Sequence, residues 1–173
     1  GNELPTGFFF ISLLVVSIFG ALATSKLAAV FGRKKLFIIA LLASSVLTSG
    51  IYFVPQKSVS AIFILGCSAE FFAAILPTLF FSMLGDSADY SEYKTGRRAT
   101  GLVYSAGSFV QKTGGGFAGA LVLLVLGSYG YNGLDINTIN QTLPGMKSLM
   151  SWIPALFGFA GAALICLYPL NDE

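Results

Sequence analysis

Lys112 is the residue of this chain best placed to do chemistry. It stands inside an apolar stretch, with Ser108 four residues and Ser105 seven residues before it, so that the three share one helical face, and Gln111 adjoins it. Glu70 is a second charge of the same kind, in the preceding apolar stretch. A charge at the centre of a membrane-spanning helix costs roughly 2.5–3.5 kcal/mol on the insertion scale, and such residues face a polar cavity or one another. At ~1.5 Å of rise per residue, Glu70 lies roughly 16 Å and Lys112 roughly 22 Å from the outer ends of their stretches, which are similar depths. Two readings follow: a buried ion pair joining the two helices, or a substrate or coupling-ion site. A mid-membrane cation beside hydroxyls and an amide offers donors to the oxygens of a sugar and can exchange its role with an incoming cation. Lys26, by contrast, is close enough to Arg33 to snorkel to the surface.

The densest polar stretch runs from Gly85 to Gly101 and carries Asp86, Asp89, Glu92, Lys94, Arg97 and Arg98. As a solvated connector its surface pairs are worth only ~0–1 kcal/mol each. As a gate, the same residues together with Arg33 form a charge network that closes the cytoplasmic side in one state and breaks in another. Hydrolysis finds no support, because a chain without histidine has no Ser-His-Asp set and its acid pairs lie in the polar stretch. Cys67 and Cys166 each fall in an apolar run with no further Cys or His nearby, and read as packed small side chains rather than metal ligands. No catalytic residue, metal or cofactor is expected.

The elements that must position these residues are helices in lipid. Hydrophobic residues make up 55% and charged residues 10%, and the mean hydropathy is +0.79, far from the roughly 25% charge of an average soluble domain. A net charge of +2 with scattered bases gives nucleic acid no footprint. Apolar segments over 8–31, 36–54, 59–84, 102–127 and 146–168 are each near the ~20 residues that cross ~30 Å of hydrocarbon. Aromatics cluster near several ends, as in Tyr52-Phe53, Tyr129 with Tyr131, and Trp152. The expected fold is an all-α bundle of five spans, joined by cytoplasmic loops at 32–35 and 85–101.

The loops set the orientation. Arg33, Lys34, Lys35, Lys94, Arg97 and Arg98 lie in those two loops, against Lys57 and Lys147 in the others, which puts the basic loops in the cytoplasm, the N-terminus outside and the C-terminus inside. An odd number of spans with an external N-terminus and no signal peptide is most simply explained if further helices precede Gly1. Pro55 ends the second span and makes a tight hairpin with the third. The stretch 128–145 reads as a solvated external loop or a lid over a substrate path. In the fourth span Gly107, Gly114, Gly115, Gly116 and Gly119 leave little side-chain bulk, and Gly115 with Gly119 makes a small-residue face suited to close packing, whereas Gly114-Gly115-Gly116 could let the helix bend beside a site. A non-catalytic assembly subunit that packs with partners through such faces is the alternative to a transporter.

The run Met83-Leu84-Gly85-Asp86-Ser87-Ala88-Asp89-Tyr90-Ser91-Glu92-Tyr93-Lys94-Thr95-Gly96-Arg97-Arg98, then Gly101 and Ser108-Phe109-Val110-Gln111-Lys112, resembles the glycoside–pentoside–hexuronide:cation symporter family of the major facilitator superfamily, the melibiose permease-like transporters. Phe31-Gly32-Arg33-Lys34-Lys35 and the closing stretch from Ile153 to Leu170 extend the likeness over essentially the whole chain. The resemblance implies a twelve-helix transporter of the bacterial inner membrane, with this chain as about helices 8–12. It implies symport of a sugar or glycoside with Na+, Li+ or H+ by alternating access. Lys112 falls on the family's helix-eleven lysine, needed for sugar and cation binding, and Ser108 on a hydroxyl position lining the sugar site. Pro77 departs from the pattern at a position where the family carries a sugar-stacking tryptophan. The acids that hold sugar and cation lie chiefly in the missing N-terminal half, so this chain alone is expected not to transport.

Overall fold

The computed structural model describes residues 3–55, 58–135 and 138–168. Among these residues run six α-helices and no strand: α1 (Glu3–Phe31), α2 (Arg33–Gly50), α3 (Val59–Thr95), α4 (Thr100–Ser128), α5 (Thr138–Met150) and α6 (Trp152–Cys166). A single 3₁₀ turn, Ile51–Phe53, prolongs α2. Five stretches are long and apolar enough to cross a membrane: Gly7–Phe31, Arg33–Phe53, Val59–Thr95, Thr100–Ser128 and Gln141–Cys166. The class is all-α, as the composition requires. Lys57 and residues 169–173, which entered the orientation argument, lie outside the described residues.

The core is small. Leu36 and Ala40 of α2 meet Ile75 and Leu79 of α3, with Leu27, Ala28, Phe71 and Phe72 around them. No more than 17% of the apolar window of any spanning stretch is buried inside the chain, so most of its apolar surface needs hydrocarbon or other helices. α1 and α2 both pack along α3, α2 also packs along α6, and α4 touches α3 over a shorter length.

Two glycines allow close approach of α1 to α3 and of α6 to α2. A Cβ on Gly20 of α1 would lie 2.5 Å from the carbonyl oxygen of Phe71 on α3, and one on Gly158 of α6 would collide with Ser45 Oγ on α2. The glycines singled out in the sequence divide: Gly107 is buried, and a Cβ there would collide with Leu84 of α3, whereas Gly114, Gly115, Gly116 and Gly119 have open space where a Cβ would go. Close packing of the described chain therefore runs through α1–α3, α2–α6 and the Gly107 end of α4 on α3, and the remaining glycines of α4 are open.

Helix ends follow local chemistry. Gly32, at φ 78° and ψ 151°, makes the turn between α1 and α2, and Gly96, at φ 65°, ends α3 with its N–H on the Glu92 carbonyl at 2.8 Å. Between Gly85 and Gly96 nothing breaks the helix, so residues 86–95, expected as a loop, extend α3 by almost three turns. Likewise the expected external loop 128–145 becomes helical at Thr138. Pro144 sits within α5, where the Thr142 hydroxyl reaches the carbonyls of Thr138 and Ile139 at 3.1 and 3.0 Å. Ser151 then interrupts the chain of turns, bonding the Lys147 carbonyl at 2.5 Å. Pro154, third in α6, explains the break: a first turn needs no N–H at that position, whereas a continuous helix would.

At the other end of the bundle Tyr52 and Phe53 pack edge-on against Trp152, with ring centroids 6.0 and 6.2 Å apart, and Lys147 lies 5.0 Å above the Tyr52 ring. Both cysteines are free thiols. Cys67 is half-buried, but Cys166 is exposed and does not pack as its apolar run suggested.

Candidate functional site

Lys112 lies in the fourth turn of a helix that the rest of the described chain barely covers: none of the spanning window of α4 is buried. Lys112, Gln111 and Ser105 are exposed and Ser108 is half-exposed, so the four residues picked out by helical spacing share the open part of α4. Ser105 Oγ donates to the Leu102 carbonyl at 3.0 Å, whereas Ser108 makes no such bond among the described residues. The arrangement presents an ammonium, an amide and a hydroxyl to whatever occupies the space beside α4.

Glu70, half-buried on α3, forms no ion pair with Lys112. The reason is the register of α3 against α4. They meet near their connecting turn, where Tyr104 Oη donates to the Phe81 carbonyl at 3.2 Å, the Tyr104 and Phe81 rings stack at 6.4 Å, and Leu84 fills the space beside Gly107. Running antiparallel from that contact, Lys112 and Glu70 come to lie at heights that differ by on the order of 10 Å. The weld reading of the two charges is therefore not what the chain forms, and Lys112 faces outward from the described helices.

The charge network divides into separate pieces. Arg33, first residue of α2, pairs through Nη1 with Asp86 Oδ1 of α3. This pair has a local cause. A cation in the first turn of a helix opposes its macrodipole by ~0.3–1 kcal/mol, and the first turn of α2 contains three cations, no acid and no side-chain cap. Asp86 supplies the missing negative charge from the neighbouring helix. Glu92 meets Arg98 across the Gly96 turn at 3.7 Å, and Lys94 lies 6.0 Å over the Tyr90 ring. Asp89 and Arg97 are exposed and join no ion pair among the described residues. Of the network expected from the sequence, the structure thus joins Arg33 with Asp86 and Glu92 with Arg98.

Residues not singled out for their chemistry complete the Arg33–Asp86 node. Lys34 Nζ donates to the Tyr168 carbonyl at 2.5 Å, and Tyr168 Oη lies 3.0 Å from Ser87 Oγ and 3.3 Å from the Met83 carbonyl. Ser87 Oγ also donates to that carbonyl at 2.9 Å. The segment just after α6 is thereby tied to the start of α2 and to the C-terminal part of α3. A tyrosine just before a proline after an apolar span was the only signal, and nothing local specifies its distant partners.

Beside this node opens a groove of about 850 Å³, between the last turns of α1, the Gly32 turn and α3. Arg33, Lys34 and Lys35 line it on one side, and Ser25, Thr78 and Ser82 on the other. No group of three or more acids, cysteines or histidines with metal-binding geometry occurs among the described residues.

A family profile described as MFS/sugar transport protein matches residues 1–172. A glucuronide carrier protein homolog of Escherichia coli K12 is 27% identical over 172 residues, covering 97% of this chain and 37% of the relative. A putative glycoside/cation symporter of the same strain, YagG, is 29% identical over 170 residues, 98% of this chain and 37% of that protein. An isoprimeverose transporter of Lactiplantibacillus pentosus is 37% identical over 91 residues, 53% of this chain and 19% of the transporter. No solved structure matches. The chain spans little more than a third of the length of the first two relatives. Five spanning helices, the polar run that ends α3 and a match from end to end lead to one assignment: this chain belongs to the MFS/sugar transport protein family.

Proposed function

We propose that this chain is the C-terminal part, about helices 8–12, of a secondary active transporter that couples uptake of a sugar or glycoside to Na+, Li+ or H+ by alternating access. The observation that carries the reading is Lys112: a cation in the interior of a spanning helix, on the open part of α4 beside Ser108 and Gln111. Left against lipid it would cost roughly 2.5–3.5 kcal/mol, so its side of α4 belongs to a polar cavity. A putative glycoside/cation symporter and an isoprimeverose transporter among the relatives point to the same substrate class. Acids of the N-terminal half hold most of the cation site in this reading, and the 173-residue chain alone does not transport. The protein resides in the bacterial inner membrane with Gly1 outside and the basic ends of α2 and α3 in the cytoplasm.

The test is uptake of radiolabelled sugar into membrane vesicles under an imposed sodium or proton gradient, with the complete protein. Lys112→Ala abolishes substrate-coupled cation uptake. Near-normal uptake by that variant refutes the role given to Lys112. A second reading, a non-catalytic assembly subunit, draws support from the open face of Gly114, Gly115, Gly116 and Gly119. Sequencing upstream of Gly1 separates the two, because a transporter requires six or seven preceding helices with intramembrane acids and an assembly subunit does not.

A further inference from the structure

We propose that the outer half of α4 is a hinged limb, jointed at Gly114-Gly115-Gly116 and clasped to α5 by the Tyr129 ring on Gly145. The main contacts of α4 are with α3 and α5. Toward its inner end Tyr104 stacks on Phe81, and Leu84 fills the space beside Gly107. At its outer end the Tyr129 ring lies so close to α5 that a Cβ on Gly145 would be 2.7 Å from Cδ2 and 3.1 Å from Cε2. Gly130, at φ 77°, turns the chain there, and the Tyr131 N–H donates to the Leu126 carbonyl at 3.0 Å, so a well-capped helix end carries the ring. α5 is itself held in place: Lys147 lies over the Tyr52 ring, and Thr142 and Ser151 are fully buried.

Between these two anchorages three successive residues are glycine, the weakest helix former after proline. None of the three has an atom of the described chain within 4 Å of where its Cβ would stand, so a change of axis at this point displaces no side chain packed on them. The clasp is shallow: Tyr129 is 43% exposed, and ring carbons make its contact with Gly145. A ring that leaves a glycine seat gives up one apolar face and breaks no hydrogen bond there. Ser128 lies twelve residues, or ~18 Å, beyond Gly116, so a small change of axis at the joint moves it by several ångströms. The joint begins two residues after Lys112, and movement of the limb therefore widens or narrows the space beside that ammonium. This purpose rests on the transport reading given above, whereas the joint and its clasp rest on contacts within the chain.

The experiment uses the complete protein in lipid vesicles, with Cys67 and Cys166 replaced by serine and spin labels on Ser128→Cys of α4 and Leu156→Cys of α6, both exposed positions. Paired-label distance distributions then read the outer limb against α6. Tyr129→Ala at least doubles the width of the distribution, and Tyr129→Phe, which keeps the ring, leaves it at the parental width. Adding Gly114→Ala, Gly115→Ala and Gly116→Ala to Tyr129→Ala returns it to the parental width. A parental width in Tyr129→Ala, or equal broadening by Tyr129→Phe, overturns the clasp; broadening that persists with the three alanines overturns the joint. In the vesicle uptake assay the triple alanine variant, with Tyr129 intact, takes up sugar at least fivefold more slowly, a rise of about 1 kcal/mol in the barrier, and parental uptake overturns the purpose given to the movement. The distances are read without sugar, so they decide the limb and its clasp whatever uptake by Lys112→Ala says of the transport reading.

Discussion

Gly20→Ala adds one methyl group where α1 lies closest to α3. The new Cβ would sit 2.5 Å from the Phe71 carbonyl oxygen, 3.1 Å from Ala74 Cβ and 3.4 Å from the Phe71 carbonyl carbon. The nearest atom is backbone, held by the turns of α3, so relief requires the helices to part by several tenths of an ångström along their main contact. Overpacking of this kind costs about 1–3 kcal/mol, and the immovable neighbour puts Gly20 at the upper end. Replacing glycine inside a helix returns about 1 kcal/mol through propensity. The net expectation is a loss of about 2 kcal/mol. Gly115→Ala is the internal control: nothing lies within 4 Å of its Cβ, so only the propensity gain remains. The two variants, chemically identical, should differ in opposite directions from the parent. Unfolding of the 173-residue protein by sodium dodecyl sulfate in mixed micelles, followed by circular dichroism, gives the comparison. If Gly20→Ala unfolds at the parental midpoint, α1 and α3 do not approach as closely as described and the packing argument fails.

Other consequences are equally direct. Asp86→Asn removes one charged partner of Arg33; because the Asp86 and Arg33 side chains are 37% and 43% exposed, the loss is about 0.2–1 kcal/mol, and it should vanish at ~1 M salt, where screening acts within ~3 Å. An effect that persists unchanged in high salt would show that Asp86 acts through something other than charge. Tyr168→Phe deletes the hydroxyl shared with Ser87 and the Met83 carbonyl and should cost about 0.5–1.5 kcal/mol, with faster amide exchange in the last turn of α6; unaltered exchange there contradicts the tie. Asp89→Lys in the complete transporter tests the gate: accessibility of an engineered external cysteine should change, and identical labelling counts against a role in the inward–outward balance.

Legibility from the sequence followed the physics of each signal. Apolar runs of spanning length are a property of single segments, and so the helical class and the break after Phe31 could be read directly. The polar run after Gly85 was harder, because polarity marks exit from lipid but does not end a helix; only Gly96 does that. The stretch 128–145, rich in Asn, Gly and Thr, suggested a loop, yet the Thr142 hydroxyl and the turn restart at Ser151 accommodate a helix from Thr138. Helical spacing was enough to group Lys112 with Ser108, since both lie on one element. Pairings between elements were not available in the same way. Whether Glu70 reaches Lys112 depends on the register at Gly107, and the link from Lys34 to Tyr168 crosses 134 residues. The glycines of α4 divide for a related reason, Gly107 meeting Leu84 and the others open: a small residue states what could approach, and only the neighbours decide what does.

α3 is one continuous rod from Val59 to Thr95, with Pro77 set in its interior. Proline removes the N–H that would hold the carbonyl four residues before it, which softens a helix at one point while leaving both arms stiff. Such a rod is a lever with its fulcrum in the bilayer. Thr95 lies eighteen residues beyond Pro77, or ~27 Å, so that a bend of about 10° sweeps it through about 5 Å. At Asp86, half as far along, the sweep is about 2 Å, enough to unhook it from Arg33. Gearing of this kind would let a modest deflection deep in the membrane disengage a charge pair at its surface, with no need for either arm to unfold.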